Sequence, residues 1–202
     1  MIETPDSKQV YAIVLAAGSS SRFGTAKQLA EWDGDVLVKR ATDLAASCCS
    51  TRSILVAGHD WQAVSAACKP FSGCFVVNDK HQDGIGSSLA LAVRAIRHTA
   101  SAILVLLADQ PLITTQHLAR LITTWSGDER EIVASAYANT TGVPALFASG
   151  CFDQLCSLSG DQGARSLLQD AKFHVREIVF EDAETDIDSV ADLARLVRNA
   201  RS

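Results

Sequence analysis

The chain of 202 residues has the length of one domain and can bury roughly 70% of the surface that an extended chain exposes. With 48% hydrophobic and 20% charged residues, 12 Gly and 4 Pro, it is an ordinary globular sequence, which excludes a disordered, collagen-like or coiled-coil chain. The 18 Lys and Arg against 23 Asp and Glu leave a net charge of −5, so a sequence-independent nucleic-acid binder is not expected and a small-molecule partner is.

Residues 1–9 are polar and read as a flexible N-terminal lead, leaving 10–202 as one domain. No apolar run approaches the roughly 18–20 residues that cross a bilayer, so no membrane partner and a cytoplasmic setting are expected. Short, nearly continuous apolar runs predict strands buried on both faces at Val10–Ala16, Ser53–Ala57, Cys74–Val77, Ala102–Leu107 and Ile132–Ala136, with later strands at Pro144–Phe147 and Val175–Phe180. Between them, apolar residues at helical spacing mark Leu37–Leu44, Trp61–Cys68, Leu89–Ile96, Leu118–Trp125 and Val190–Val197. Thr114 and Ser189 stand where N-caps belong, Ser189 with Asp192 three residues on. Strands alternating with helices predict an α/β fold: a single-domain, three-layer, Rossmann-like, mostly parallel sheet with helices on both faces. The six cysteines show neither Cys-x-x-Cys nor metal spacing and read as small buried hydrophobes.

In such a sheet a ligand lies beyond the carboxyl ends of the strands, so the loops there carry the candidate chemistry. After the first strand, Leu15, Ala16, Ala17, Gly18 and Ser19 begin a small-residue loop whose amides suit phosphate, with Arg22 and Lys27 to neutralise it, a solvated surface loop being the other reading. It is neither a Walker A loop nor a dinucleotide fingerprint. After the third strand, Asn78 to Ser88 supplies Asn78, Gly84, Ser87 and Ser88 for a base or ribose, an ordinary helix cap being the other reading; His81 reads as a surface residue. Asp109 follows the most apolar run, where a carboxylate is costly unless a cation or hydrogen bonds compensate it, and Mg²⁺ beside phosphate does so. Asp186 and Asp188 offer a second carboxylate, and local residues leave the choice between them open. Gly142 and Pro144 in one segment, and Arg165 at the opening of an expected helix, are candidates for an acceptor, a polar surface turn with an exposed Arg being the other reading.

Leu15–Lys27 (LAAGSSSRFGTAK) resembles the signature loop of the MobA-like nucleotidyltransferases. Gly84–Leu89 (GIGSSL) resembles that family's base-binding turn, Asp109-Gln110-Pro111 its metal-binding Asp-x-Pro, and Asp186–Leu193 (DIDSVADL) its closing motif. Together with TGVPALF and GDQGAR these are most similar to the molybdenum cofactor cytidylyltransferases, over about residues 10–197. Phe23, Ala26 and Ser189-Val190-Ala191 depart from the usual residues without removing a presumed catalytic group.

The resemblance implies a nucleotide-diphospho-sugar transferase-like fold and Mg²⁺-dependent transfer of CMP from CTP to the molybdopterin cofactor, with Mn²⁺ as a substitute metal. It implies Arg22, Lys27 and Asp109 as catalytic residues and Asp109 with Asp188 as metal ligands. A molybdoenzyme or its chaperone is the implied protein partner. The alternatives are a guanylyltransferase of the same cofactor, transfer to a sugar phosphate or other small alcohol, and a non-catalytic carrier of the pterin cofactor.

Overall fold

A computed structural model describes residues 9–18, 23 and 26–199. The elements in chain order are β1 (Val10–Ala16), β2 (Glu31–Trp32), β3 (Asp35–Val36), α1 (Leu37–Cys49), β4 (Ser53–Ala57), α2 (Trp61–Ala67), β5 (Cys74–Val77) and α3 (Ile85–Ile96). There follow β6 (Ala102–Leu107), α4 (Thr115–Thr124), β7 (Glu131–Tyr137), β8 (Thr140–Ala148), α5 (Phe152–Cys156), β9 (His174–Val179) and α6 (Val190–Asn199). Seven strands form one sheet in the order β5-β4-β1-β6-β8-β7-β9, while β2 and β3 pair as a separate hairpin. Within the large sheet β8 runs antiparallel to both β6 and β7, and the other pairs are parallel.

The apolar strands divide their side chains between two cores because successive residues of a strand point to opposite faces. Val10, Ala12, Val14 and Ala16 of β1 meet α1 and α4 through Val38, Ala41, Leu118 and Leu121. Ile13 and Leu15 face the other way, onto Leu89, Val93 and Ile96 of α3 and Phe152 and Leu155 of α5. The expected three layers are therefore present. Thr114 caps α4 through its hydroxyl, which accepts from His117 N at 3.2 Å. Ser189 and Asp192 form a reciprocal capping box: Ser189 N donates to Asp192 Oδ2 at 2.9 Å and Asp192 N to Ser189 Oγ at 3.3 Å.

Several expectations need correction. Pro144–Phe147 is the inner part of a nine-residue strand, β8, that begins at Thr140. It is reached from β7 by a turn through Ala138 and Asn139, whose φ angles of 46° and 58° are left-handed; such residues fit a two-residue hairpin turn, but Ala-Asn is a weak turn signal. The β2–β3 hairpin turns on Asp33 and Gly34, at φ 52° and 85°, an Asp-Gly signal that the helical pattern following it obscured. The helix expected to open near Arg165 is a 3₁₀ segment, Ala164–Gln169. Among the cysteines, all free, Cys49, Cys68, Cys151 and Cys156 are buried as expected, whereas Cys48 is half-buried and Cys74, on edge strand β5, is exposed. Among the described residues no helix is long and apolar enough to cross a membrane.

Candidate functional site

From β1 the chain moves outward through β4 to β5, then returns through α3 to β6 on the other side of β1. That reversal opens a crevice beyond the carboxyl ends of β1 and β6. Two connected lobes occupy it, sharing Leu15, Ile85 and Leu107 in their walls. The first, about 290 Å³, is lined by Ala16, Ala17, Gly18, Lys27, Ser88 and Asp109. The second, about 340 Å³, is largely apolar and includes Gly142, Arg165 and Asp186.

Lys27 stands in the first lobe with its Nζ 2.6 Å from Asp109 Oδ2 and 2.9 Å from Asp188 Oδ1. Burial by itself pulls the ammonium down, but the charges and hydrogen bonds of the two aspartates outweigh it and hold the pKa above the ordinary lysine value. Asp186 faces the second lobe instead. Burial first, then the charges of Asp109 and Asp188, push its carboxyl up to about 7. Ile187, fully buried between the two aspartates, donates its N–H to Asp109 O at 3.0 Å and fixes this alternation.

The pair Asp109 and Asp188 fits a divalent cation. Each spends one carboxylate oxygen on the Lys27 ammonium, and the other oxygen of Asp109, Oδ1, is buried without a hydrogen-bond partner among the described residues, a hard donor that a cation would satisfy. No three acidic, His or Cys side chains gather there among the described residues, so the protein offers a partial shell of the kind that water and triphosphate oxygens complete around Mg²⁺.

Two glutamines that the motif reading passed over shape the site. Gln28, only 4% exposed, donates from Nε2 to Ala16 O at 3.1 Å and Gly18 O at 2.9 Å, latching the start of the loop after β1. Gln110, 5% exposed, donates from Nε2 to Ala183 O at 2.9 Å and Val143 O at 3.2 Å. Their signal in the sequence is only adjacency to Lys27 and Asp109, since backbone carbonyls, which carry no sequence pattern, are among the partners of both, and Gln110 also hydrogen-bonds the Asp186 carboxyl.

Asn78 is buried, and its Nδ2 donates at 2.9 Å to both Ser87 Oγ and Ser88 Oγ, while its Oδ1 accepts from Lys80 N at 3.0 Å. Asn78 and Ser87 thus support the turn behind the lobe, whereas Gly84 and Ser88 line it. The α3 N-cap is Gly84, not a serine side chain. His81, expected at the surface, also lines the first lobe. Gly86 N donates to Gly160 O at 3.0 Å, which brings the GIGSSL and GDQGAR segments together. Ser19 and Arg22 lie outside the described residues.

On the acceptor side, Gly142 and Arg165 line the second lobe, and Arg165 Nη2 donates to Thr140 Oγ1 at 2.7 Å. Pro144 is buried behind it, its carbonyl accepting from Ser135 Oγ at 2.6 Å. Tyr137, not singled out from sequence, joins the lobe: a Cβ on Gly142 would sit 2.3 Å from its hydroxyl. Burial and the charge of Asp186 raise the Tyr137 pKa against the opposing pull of Arg165.

Residues 12–177 match the family described as the MobA-like NTP transferase domain. A relative named nicotine blue oxidoreductase, from Paenarthrobacter nicotinovorans, is 33% identical, over 93% of this chain and 96% of its own. The crystal structure of Rv0371c from Mycobacterium tuberculosis H37Rv is 30% identical, with a TM-score of 0.82 over 95% of this chain and 98% of that one. A structure of the same mycobacterial protein in complex with manganese is 28% identical, with a TM-score of 0.79 over 95% and 99% of the two chains. With residues 12–177 matched by the family and more than nine-tenths of the chain covered by these relatives, the chain belongs to the MobA-like NTP transferase family.

Proposed function

We propose that the protein transfers CMP from CTP to the terminal phosphate of the molybdopterin cofactor, with Mg²⁺ and with release of pyrophosphate. The observation that carries this reading is the Lys27–Asp109–Asp188 cluster, with Lys27 and Asp109 in the wall of one lobe of a crevice whose second lobe holds Arg165. The GIGSSL, TGVPALF and GDQGAR segments, whose combination resembles the cytidylyl subgroup, all contribute to the walls of these two lobes.

In this reading a phosphate oxygen of the acceptor attacks the α-phosphorus of CTP, the bond from that phosphorus to the bridging oxygen breaks, and pyrophosphate leaves with the bond's electrons. Positioning and charge neutralisation are the protein's tasks, and no covalent enzyme intermediate is needed. Lys27, with Arg22, neutralises the triphosphate; the backbone of Leu15–Gly18, latched by Gln28, holds nucleotide together with Gly84 and Ser88. Asp109 and Asp188 would hold Mg²⁺ or Mn²⁺, which when bound supplies charge neutralisation to the phosphates. Arg165 receives the anionic end of the acceptor beside Gly142. A cytoplasmic setting and delivery to a molybdoenzyme or its chaperone belong to the same proposal.

The test is pyrophosphate release by purified protein with Mg²⁺ and molybdopterin cofactor, comparing CTP, GTP, ATP and UTP, alongside Asp109→Asn. Release with CTP that disappears in Asp109→Asn is the expected result. Preference for GTP would transfer the assignment to guanylyl transfer, and release only with sugar phosphates would change the acceptor. Cofactor binding without release would indicate a carrier. Redox turnover with no nucleotide consumed would favour the activity named in the oxidoreductase relative.

A further inference from the structure

The second lobe is bounded by a break in the sheet. Along β7 and β8, Ala134 pairs with Ala145 but the next residue, Ser135, pairs with Gly142, so Val143 and Pro144 have no partner in that ladder. β6 gives them none either, because its pairing with β8 stops at Val105–Ala145. Two residues thereby lose their ladder partners beside the ligand crevice, and their backbone carbonyls accept from side chains. Ser135 Oγ supplies one to Pro144 O, and Gln110 Nε2 supplies the other to Val143 O.

Gln110 does more than fill that gap, because the same Nε2 also holds Ala183 O. Ala183 is fully buried in the 3₁₀ turn Glu181–Glu184, three residues before Asp186. The neighbouring Asp109 carbonyl accepts from Ile187 N. A single dipeptide after β6 therefore grips the acceptor-side bulge with a side chain and the stretch from Ala183 to Ile187 with both side chain and backbone, and Asp109 itself meets Lys27. The two carbonyls also fix the amide's orientation, since an amide oxygen in the place of Nε2 would face both of them.

We propose that Gln110 is a positioning residue that sets the wall of the acceptor lobe relative to the Lys27–Asp109–Asp188 cluster, and so governs acceptor use separately from nucleotide binding. The kinetic part rests on the transferase reading; the structural part does not. Gln28 holds the carbonyls of Ala16 and Gly18 at the end of β1, so the nucleotide lobe keeps a latch of its own when Gln110 is changed.

Gln110→Met, similar in length but without the N–H donors, is the informative substitution, with Gln110→Glu as a second variant and Ser135→Ala as the control that frees Pro144 O, and His117 Nε2 with it, while leaving both carbonyl bonds of Gln110 in place. Hydrogen exchange of the full chain should show residues 140–144 and 181–185 loosening together in the Gln110 variants, with Ile187 still held to the Asp109 carbonyl, and 140–144 without 181–185 in Ser135→Ala. The dissociation constant of Mg²⁺–CTP should change less than threefold while the KM for molybdopterin cofactor rises at least tenfold, the loss expected from two modest hydrogen bonds. Equal weakening of nucleotide and acceptor, or loosening of one segment without the other, would overturn the proposal. If the unaltered protein transfers nothing to that cofactor, the transferase reading fails, and exchange together with nucleotide binding still decides whether Gln110 couples the two segments. If Gln110→Met does not fold, Gln110→Glu takes its place in every comparison.

Discussion

Lys27 is placed by tertiary structure and not by its own loop: its ammonium lies between carboxylates 82 and 161 residues away in sequence. The two aspartates hold it in the charged form through and beyond neutral pH, so it serves as a fixed cation and not as a proton carrier. A triphosphate entering the same lobe would meet a lysine already oriented. Lys27→Ala is expected to slow transfer on the order of 10²–10³, the size of losing one charge-stabilising group, with the fold retained. Single-turnover rates and nucleotide affinity, measured separately, check this, and a loss under threefold would remove Lys27 from the transfer step. Asp109 was accessible to sequence reasoning because a carboxylate at the end of an apolar strand demands a partner. Gln110 was not, because the carbonyls it holds are 33 and 73 residues away and an amide next to a motif residue has no pattern of its own.

At the scale of elements, the nucleotide lobe depends on how closely two turns approach. Gly84 has φ 88° and ψ 175°, a backbone region that is essentially reserved for glycine, and a Cβ there would lie 2.3 Å from the carbonyl carbon of Gly160. Gly160 itself has φ 64° but open space around an added Cβ. Gly160→Ala should therefore cost about 1–2 kcal/mol of backbone strain, and Gly84→Ala should cost more because strain and collision add. Urea titration of both variants measures the difference, and equal costs would mean that the two turns separate freely. The expected strands at Val10–Ala16, Ser53–Ala57, Cys74–Val77 and Ala102–Leu107 match the observed bounds because they are apolar on both faces and flanked by polar turns. β8 was less legible: its first half is polar, and its pairing is interrupted where Val143 and Pro144 leave the ladder. The contact between the 84–89 and 160–165 segments was likewise invisible, since only the folded chain brings Gly86 N to Gly160 O.

Across the whole molecule, one buried imidazole joins the helical layer to the interrupted part of the sheet. His117 of α4 is 2% exposed, stacks on Phe180 at 4.1 Å, and lies with Nε2 2.7 Å from Ser135 Oγ. Because the Ser135 proton goes to Pro144 O, Nε2 must be the donor to Ser135, which places the neutral ring's lone pair on Nδ1. Nδ1 is buried with no partner among the described residues, so a second proton there would have no acceptor. Burial, reinforced by the charge of Arg120, accordingly lowers the His117 pKa to about 4 from the ordinary 6.5. Above about pH 6.5 the ring is neutral whether the chain is folded or unfolded, and its contribution to stability is constant. As pH falls from about 6.5 towards 4, the unfolded chain takes up a proton that the folded chain refuses, and stability is lost at up to about 1.4 kcal/mol per pH unit. Below about 4 both states are protonated and the loss levels off. Other carboxylates also titrate in this range, so the comparison to make is with His117→Gln, which keeps a donor for Ser135 and cannot charge. Urea midpoints of the two proteins between pH 7.5 and 4.5 should converge or cross as the unaltered protein weakens faster. Parallel curves would show that the imidazole is protonated in the folded state and that the lone pair on Nδ1 is not sealed from solvent.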